Sequence, residues 1–265
     1  LWNCPHYPVS RVILIAKGWW MTGDIDQLRR QARSMLDLTV PRDALVAYYS
    51  LFHSRERTEL LVQEGAGGRI DGLLAICQTG WDLFRHVAVL RARSDASATA
   101  LLQRGLKPLR PYHLLTTPEL GPTADKVLQV DQIETTRIFR LDMARYSPVT
   151  NVLVVPVQSD DGSTRFVIRS QGKVAAEAGT NWRSPHFAEV YVWTAPEAQG
   201  RGWGKATIES CVAWLIRSAI QPVYIVSEEN ERSIRLAKSV GFVDTGAREL
   251  AMQGTLDGGS ERGPS

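Results

Sequence analysis

The sequence predicts an α/β (α+β) fold: a mixed, mostly antiparallel sheet flanked by helices, laid down twice in tandem. Three observations lead there. Short apolar or β-branched runs alternate with helical periods in both halves of the chain, and each half follows a three-strand meander with the order α-β-α-β. The stretch Gln199-Gly200-Arg201-Gly202-Trp203-Gly204-Lys205 follows an apolar run at 190–195 and opens a helical pattern at 203–217, so strand, glycine turn and helix start stand in a row. A chain of 265 residues, 44% hydrophobic and 22% charged, suits one large or two small globular domains.

The elements follow in order. Residues 1–20 hold Trp2, Trp19, Trp20 and an apolar core at 12–16, too short for a signal peptide and without a small-residue cleavage site. They read either as an extension ahead of a start at Met21 or as an N-terminal arm. Asp24 caps a helix over 24–38 whose Ile25, Leu28, Ala32 and Met35 share one face. Residues 41–53 form a second helix, and strands follow at 59–63, 70–78 and 83–91. A helix at 96–105, a short strand at 112–116, a helix at 118–128 with proline in its first turn and a strand at 132–141 complete the first half. Residues 142–150 make a linker.

The second half opens with a β-branched strand at 152–157. Ser159-Asp160-Asp161-Gly162 turns into a strand at 165–170, Gln171-Gly172 turns into another at 173–179, and 187–195 is the fourth. Helix 203–217, strand 222–226, a helix from Asn230 to Gly241 and a strand ending near Met252 follow. The domains are expected at 21–146 and 147–253, with a disordered, glycine-rich tail at 254–265.

Composition excludes several functions. No apolar run approaches the ~20 residues that span a bilayer, so no membrane partner is expected. Net charge is +3 with no Lys/Arg block, so nothing calls for nucleic acid. Cys4, Cys77 and Cys211 lie far apart, which fits a reducing compartment, the cytoplasm, and no disulfide framework. The five histidines show no ligand spacing, so no metal is expected. Cys211 shares a helical face with Ile208, Val212 and Leu215 and reads as core, as does Trp214.

The glycine turn carries the chemistry. Glycines admit positive φ and close approach of the backbone to an anion. The first N–H groups of a helix lack internal partners, and the helix dipole adds positive charge there. Arg201 and Lys205 add full charges. The spacing Gln-x-x-Gly-x-Gly is neither Gly-x-Gly-x-x-Gly nor Gly-x4-Gly-Lys-Ser/Thr, which argues against dinucleotide and P-loop sites. It resembles the pyrophosphate loop of the GNAT N-acetyltransferase superfamily. The block Asn230-Glu231-Arg232-Ser233-Ile234-Arg235-Leu236-Ala237-Lys238-Ser239-Val240-Gly241-Phe242 resembles a second family motif, Asn-x-x-Ala-x-x-Leu-Tyr-x-x-x-Gly-Phe, at the right distance.

The resemblance implies acetyl-CoA as cosubstrate, a primary amine of a small molecule or peptide as acceptor, and no metal. It places pyrophosphate on Gln199, Gly200, Arg201, Gly202, Trp203, Gly204 and Lys205, and pantetheine along the backbone of Trp193, Thr194 and Ala195. Asn230 acts as helix cap, as a pantetheine ligand, or as both. Glu189 is the expected base. Six residues separate it from Ala195, roughly 20 Å at strand rise and about the reach of a pantetheine arm. A solvent-facing glutamate alternating with Tyr191 and Trp193 is the other reading of that position.

Two departures matter. Ala237 stands where the family often has a thiolate-protonating tyrosine, and nothing in the spacing favours Tyr224 or Ser239 as a replacement. A non-catalytic acyl-CoA-binding regulator is therefore the alternative function. The family's two helices between its first and second strands are also missing here, so the acceptor wall is expected from the N-terminal half. That half reads as a degenerate copy whose junction, Arg91-Ala92-Arg93-Ser94-Asp95, has no glycine and so no second cofactor site. Arg183 and His186 read as a solvated loop, with acceptor contact the alternative.

Overall fold

The computed structural model describes residues 24–80, 82, 84–159 and 162–256. The expected extension at 1–20, Asp160 and Asp161 of the expected turn, and the tail beyond 256 lie outside the described residues.

Helix α1 (Ile25–Arg33) is capped by Asp24, whose carboxylate accepts from the Asp26 N–H at 3.1 Å. Helix α2 (Pro41–Ala47) starts on its proline and runs into a π-helical turn, Tyr48–Phe52. Strands β1 (Thr58–Glu64), β2 (Ile70–Cys77) and β3 (His86–Ala92) form an antiparallel meander. Helix α3 (Asp95–Gly105), capped by Ser94, leads to β4 (Pro111–Thr116), which runs parallel to β3. Helix α4 (Gly121–Val127) passes directly into β5 (Leu128–Leu141).

The second half repeats the order. Strands β6 (Val155–Gln158), β7 (Thr164–Ser170), β8 (Lys173–Arg183) and β9 (Phe187–Thr194) are antiparallel neighbours. Helix α5 (Trp203–Arg217) leads to β10 (Gln221–Ser227), parallel to β9, and α6 (Glu231–Val240) leads to β11 (Phe242–Leu256).

The eleven strands of the described residues join in one sheet, ordered β1-β2-β3-β4-β11-β5-β10-β9-β8-β7-β6. The two halves exchange their last strands. β5, which ends the first half, pairs with β10 of the second, whereas β11, which ends the second, pairs with β4 of the first. The exchanged strands pair antiparallel with each other at the centre. A boundary near 146 therefore separates the halves in sequence but cuts through the middle of the sheet.

Helices cover the sheet unequally. α3 and α4 bury Leu74, Leu102, Leu114 and Met252, and on the same face α5 and α6 bury Phe139, Val190, Leu215 and Phe242. On the opposite face α1, α2 and the π turn pack over the centre, where Ala47 and Tyr49 of the first half share a core with Trp182, Phe187 and Val223 of the second. The alternation of β9 produces this division: Phe187 points to one core and Ala188 to the other.

Several expected boundaries shift for physical reasons. The helix expected over 118–128 splits, because Pro118 starts a 3-10 turn, Pro118–Leu120, and Pro122 falls in the first turn of α4. The strand expected to end at 179 runs to Arg183 through a bulge between Thr180 and Trp182, which breaks the alternation a sequence pattern relies on. The first strand of the second half begins at Val155, not 152. Gly254, expected in a loose tail, belongs to β11: a β-carbon there would lie 2.5 Å from the Gln129 carbonyl, so glycine marks a register shift in the strand pair.

Candidate active site

The parallel pair β9 and β10 is joined only from Phe187↔Gln221 to Glu189↔Val223. Beyond that point β9 continues to Thr194 and β10 to Ser227, and among the described residues no further pairing links them. Glu189 thus sits at the vertex of a V. The Ala195 N–H donates to the Ala175 carbonyl at 2.9 Å, on the β8 side. Backbone direction alternates along a strand, so Trp193 also faces β8; the Val190 N–H closes the last pair with Val223, and the Val190 C=O with the N–H and C=O groups of Val192 and Thr194 faces the gap. Of the three residues expected along the pantetheine, only Thr194 therefore offers backbone groups to the opening. Val190 and Val192 were missed, because no sequence signal tells which alternate residues lose a strand partner.

The glycine turn lies at the open end of this gap. Gly200 has φ 79° and Gly202 φ 74°, and a β-carbon on either would meet nothing within 4 Å. Gly202 caps α5 in the left-handed conformation, without a side-chain cap, and the Ala206 N–H is the first to reach its carbonyl. The N–H groups of Trp203, Gly204 and Lys205 are left at the helix start with no place in the helical ladder. Open space, positive φ and unused donors together fit a pyrophosphate. Gly204 differs: a β-carbon there would stand 2.7 Å from Thr194 Oγ1, so this glycine allows α5 to pack on β9.

Charge gathers at the same place. The Arg201 guanidinium lies 5.0 Å from the centre of the Trp203 ring, and Lys205 Nζ stands 3.7 Å from Glu209. Arg232, not expected from the sequence, donates to Gln199 Oε1 at 2.6 Å and ties α6 to the turn. Its place in the first turn of the second motif was the available signal. Asn230 caps α6 by accepting from the Ser233 N–H at 3.0 Å, which leaves its amide NH2 facing outward from that bond.

At the vertex, Asn181 Nδ2 donates to Glu189 Oε1 at 2.9 Å. Glu189 is half-buried, and burial pushes its pKa up to about 7 against the hydrogen bond from Asn181 and the lowering influence of the nearby Trp182 indole. A carboxyl titrating there has the basicity to accept a proton near neutral pH. The first half closes over it. Tyr48 stacks on Trp182 with ring centres 5.2 Å apart, and Phe52 lies 6.1 Å from His186. The contact beside them is close-packed and mostly apolar, with no room for a water, and is formed by Leu38, Ala44, Ala47, Phe52, Ser184, His186 and Phe187. His186 therefore faces the first half, whereas the Arg183 guanidinium stacks 4.8 Å from Trp214 and turns away.

The remaining candidates separate clearly. Ala237 is fully buried in the core of the second half. Ser239 is exposed and donates to the Leu236 carbonyl. Tyr224, one residue past the vertex on β10, is buried, its pKa raised by burial, with its hydroxyl 2.8 Å from Ser233 Oγ. Cys211 is core, its thiol pushed up to about 12 by burial. In the first half β3 and β4 are paired through Val89↔Leu115, Thr116 Oγ1 still reaches the Leu90 carbonyl, and Ser94 occupies the α3 cap, so no comparable gap opens. No helix of the described residues is long and apolar enough to cross a membrane, and among them no cluster of His, Cys, Asp or Glu could hold a metal.

Residues 133–242 match the acetyltransferase (GNAT) family, a span that begins inside β5 and ends on the first residue of β11. Among solved structures, a GCN5-related N-acetyltransferase-like protein from Streptococcus suis is 14% identical over 87% of this chain and 100% of its own, with a TM-score of 0.58. A GCN5-related N-acetyltransferase from Kribbella flavida is 12% identical over 83% of this chain and 96% of its own, with a TM-score of 0.58. A tandem GNAT protein from the clavulanic acid biosynthesis pathway is 15% identical over 89% of this chain and 97% of its own, with a TM-score of 0.52. At these identities the likeness is one of fold, and it extends through both halves. No curated protein matches the sequence.

Proposed function

We propose that the chain, whose residues 133–242 match the acetyltransferase (GNAT) family, is an acetyl-CoA-dependent N-acetyltransferase acting on a primary amine of a small molecule or peptide. The observation that carries this reading is the opening of β9 from β10 at Glu189, with the glycine turn at the far end of the same gap.

Acetyl-CoA supplies an acyl group already activated as a thioester. Gly200, Gly202 and the first N–H groups of α5 hold its pyrophosphate, with Arg201, Lys205 and Arg232 adding charge. Val190, Val192 and Thr194 offer backbone groups to the pantetheine, and Asn230 contributes its free amide. Glu189 takes the proton that the amine loses on attack, because only a neutral amine is nucleophilic. Backbone N–H groups on the open edge of β9 are the donors for the oxyanion. Tyr224 is the hydroxyl we assign to the departing thiolate, since position 237 offers none. Cys77 and Cys211 are free and buried, in keeping with a reducing cytoplasm as the place of work.

Glu189→Gln tests the assignment. It keeps the shape and removes the acceptor, so kcat should fall by ~10²-fold or more while CoA affinity holds. Part of the loss should return at high pH. Wild-type turnover by this variant from about pH 6 to about pH 9 would rule the base out.

The buried Ala237 favours a second reading, a non-catalytic acyl-CoA-binding regulator. Incubation with acetyl-CoA and a panel of amines separates the two: an enzyme releases free thiol in an amine-dependent way, and a regulator does not.

A further inference from the structure

One buried donor beside the vertex has no partner. Trp182 is 4% exposed, and its indole N–H makes no hydrogen bond. A buried donor without a partner is costly, and such groups are uncommon in folded chains. Trp182 stands directly opposite Glu189 in the β8–β9 register, on the same face, immediately after the bulge that turns Asn181 toward the same carboxylate. Its ring is fixed from above by Tyr48 of the first half, at an interplanar angle of 20°.

We propose that the indole N–H of Trp182 is a positioning donor for the Glu189 carboxylate, held in place by Tyr48 of the N-terminal half. Asn181 engages one carboxylate oxygen, and Trp182 takes up the other as Glu189 ionises. The N–H already favours the charged form of Glu189, although in this conformation it stands outside hydrogen-bonding geometry. The other titratable groups that bear on Glu189 are Tyr49 from the π turn and Tyr224 from β10. Both are phenols kept neutral by burial, so neither supplies a competing positive charge. Tyr191, on the same face of β9, is engaged with Glu177 Oε1 at 2.8 Å. The proposal rests on Glu189 as the base, and it assigns the N-terminal half a part in catalysis: it fixes the group that orients that base.

Titration of the Glu189 side-chain carboxyl by carbon NMR in the full chain, without acceptor, tests the proposal independently of turnover. Trp182→Phe keeps an aromatic ring for Tyr48 and removes the donor together with part of the indole's volume. The Glu189 midpoint should rise from near 7 by about one pH unit, as loss of a hydrogen bond to a charged group predicts. The acid limb of kcat/KM should move with it, and CoA affinity should not. An unchanged midpoint in the folded variant overturns the proposal, even if KM for the acceptor rises, because the N–H then serves the acceptor instead. Should Trp182→Phe fail to fold, the wild-type protein still decides. The Trp182 indole proton resonance should move downfield as Glu189 ionises, with the same midpoint, and a resonance fixed from about pH 5 to about pH 9 sinks the idea. Failure of the base reading is recognised separately, by wild-type turnover of Glu189→Gln.

Discussion

A side chain at Gly202 would project into open space, whereas one at Gly204 would strike Thr194, so two glycines of one motif make opposite demands. Gly202→Asp should leave the fold intact, because aspartate tolerates left-handed backbone, and should abolish CoA binding by placing a carboxylate where pyrophosphate belongs. Unchanged affinity by calorimetry in that folded variant would remove the turn from the site. Gly204→Ala should instead lower stability by about 1–3 kcal/mol, through forced separation of α5 from β9, readable as a fall in Tm. Ala237→Tyr belongs with the second kind. In a sequence pattern it restores a family hydroxyl; in the structure it overfills a sealed core, and destabilisation is expected instead of faster turnover.

Glu189 also links function to stability. Its pKa is raised from 4.5 to about 7 in the folded chain. The neutral form is thus favoured in the fold, and that advantage is complete below about pH 4.5 and lost as pH rises through about 7. Glu189→Gln should therefore be more stable than wild type at pH 8, by on the order of 1–3 kcal/mol, and equal to it near pH 4.5. Thermal unfolding at the two pH values checks this, and a difference independent of pH would contradict the raised pKa. At this scale the motif residues were legible in sequence, since glycine, charge and spacing are local. The Trp182–Glu189 pair was not, because cross-strand register through a bulge leaves no local trace.

At the level of elements, most strands and helices stood where periodicity placed them, since the alternation of apolar residues is what each strand buries. What periodicity cannot give is which strand neighbours which. The exchange of β5 and β11 is such a fact, set by long-range pairing, and it alters an obvious experiment. A fragment over 147–265 omits β5 and leaves β10 without its antiparallel partner and β11 without either neighbour. Unpaired apolar edges aggregate, so that fragment should be insoluble. A fragment over 128–265 restores β5 beside β10. It should be soluble, bind CoA, and lack turnover, having lost the π turn and its Tyr48. Soluble, CoA-binding 147–265 would show that the exchanged strand is dispensable.

For the whole molecule, the exchange joins the halves in one sheet, which predicts that they unfold as one cooperative unit, and a buried ion pair lies on the seam. Arg91 of β3 approaches both oxygens of Glu249 of β11 at 2.6 and 2.8 Å, and the two side chains are 11% and 2% exposed. Burial raises the pKa of Glu249 even with Arg91 beside it. Arg91→Met removes the cation, keeps much of the volume, and strands a carboxylate in the interior. The cost expected for breaking such a pair is about 3–5 kcal/mol. Without Arg91 the Glu249 carboxyl should titrate higher still, so it can escape the penalty by taking a proton. The Tm deficit of the variant should accordingly be large at pH 8 and smaller at pH 5. The double variant Arg91→Met, Glu249→Gln should recover part of the deficit at pH 8. Since β11 of the second half is held between two strands of the first, β4 on one side and β5 on the other, loosening it disturbs both halves at once. Calorimetry of the variant should therefore show one transition, displaced to lower temperature. Two separated transitions would mean that the halves fold independently in spite of the shared sheet, and that the N-terminal half is a neighbour of the active site and not a part of its foundation.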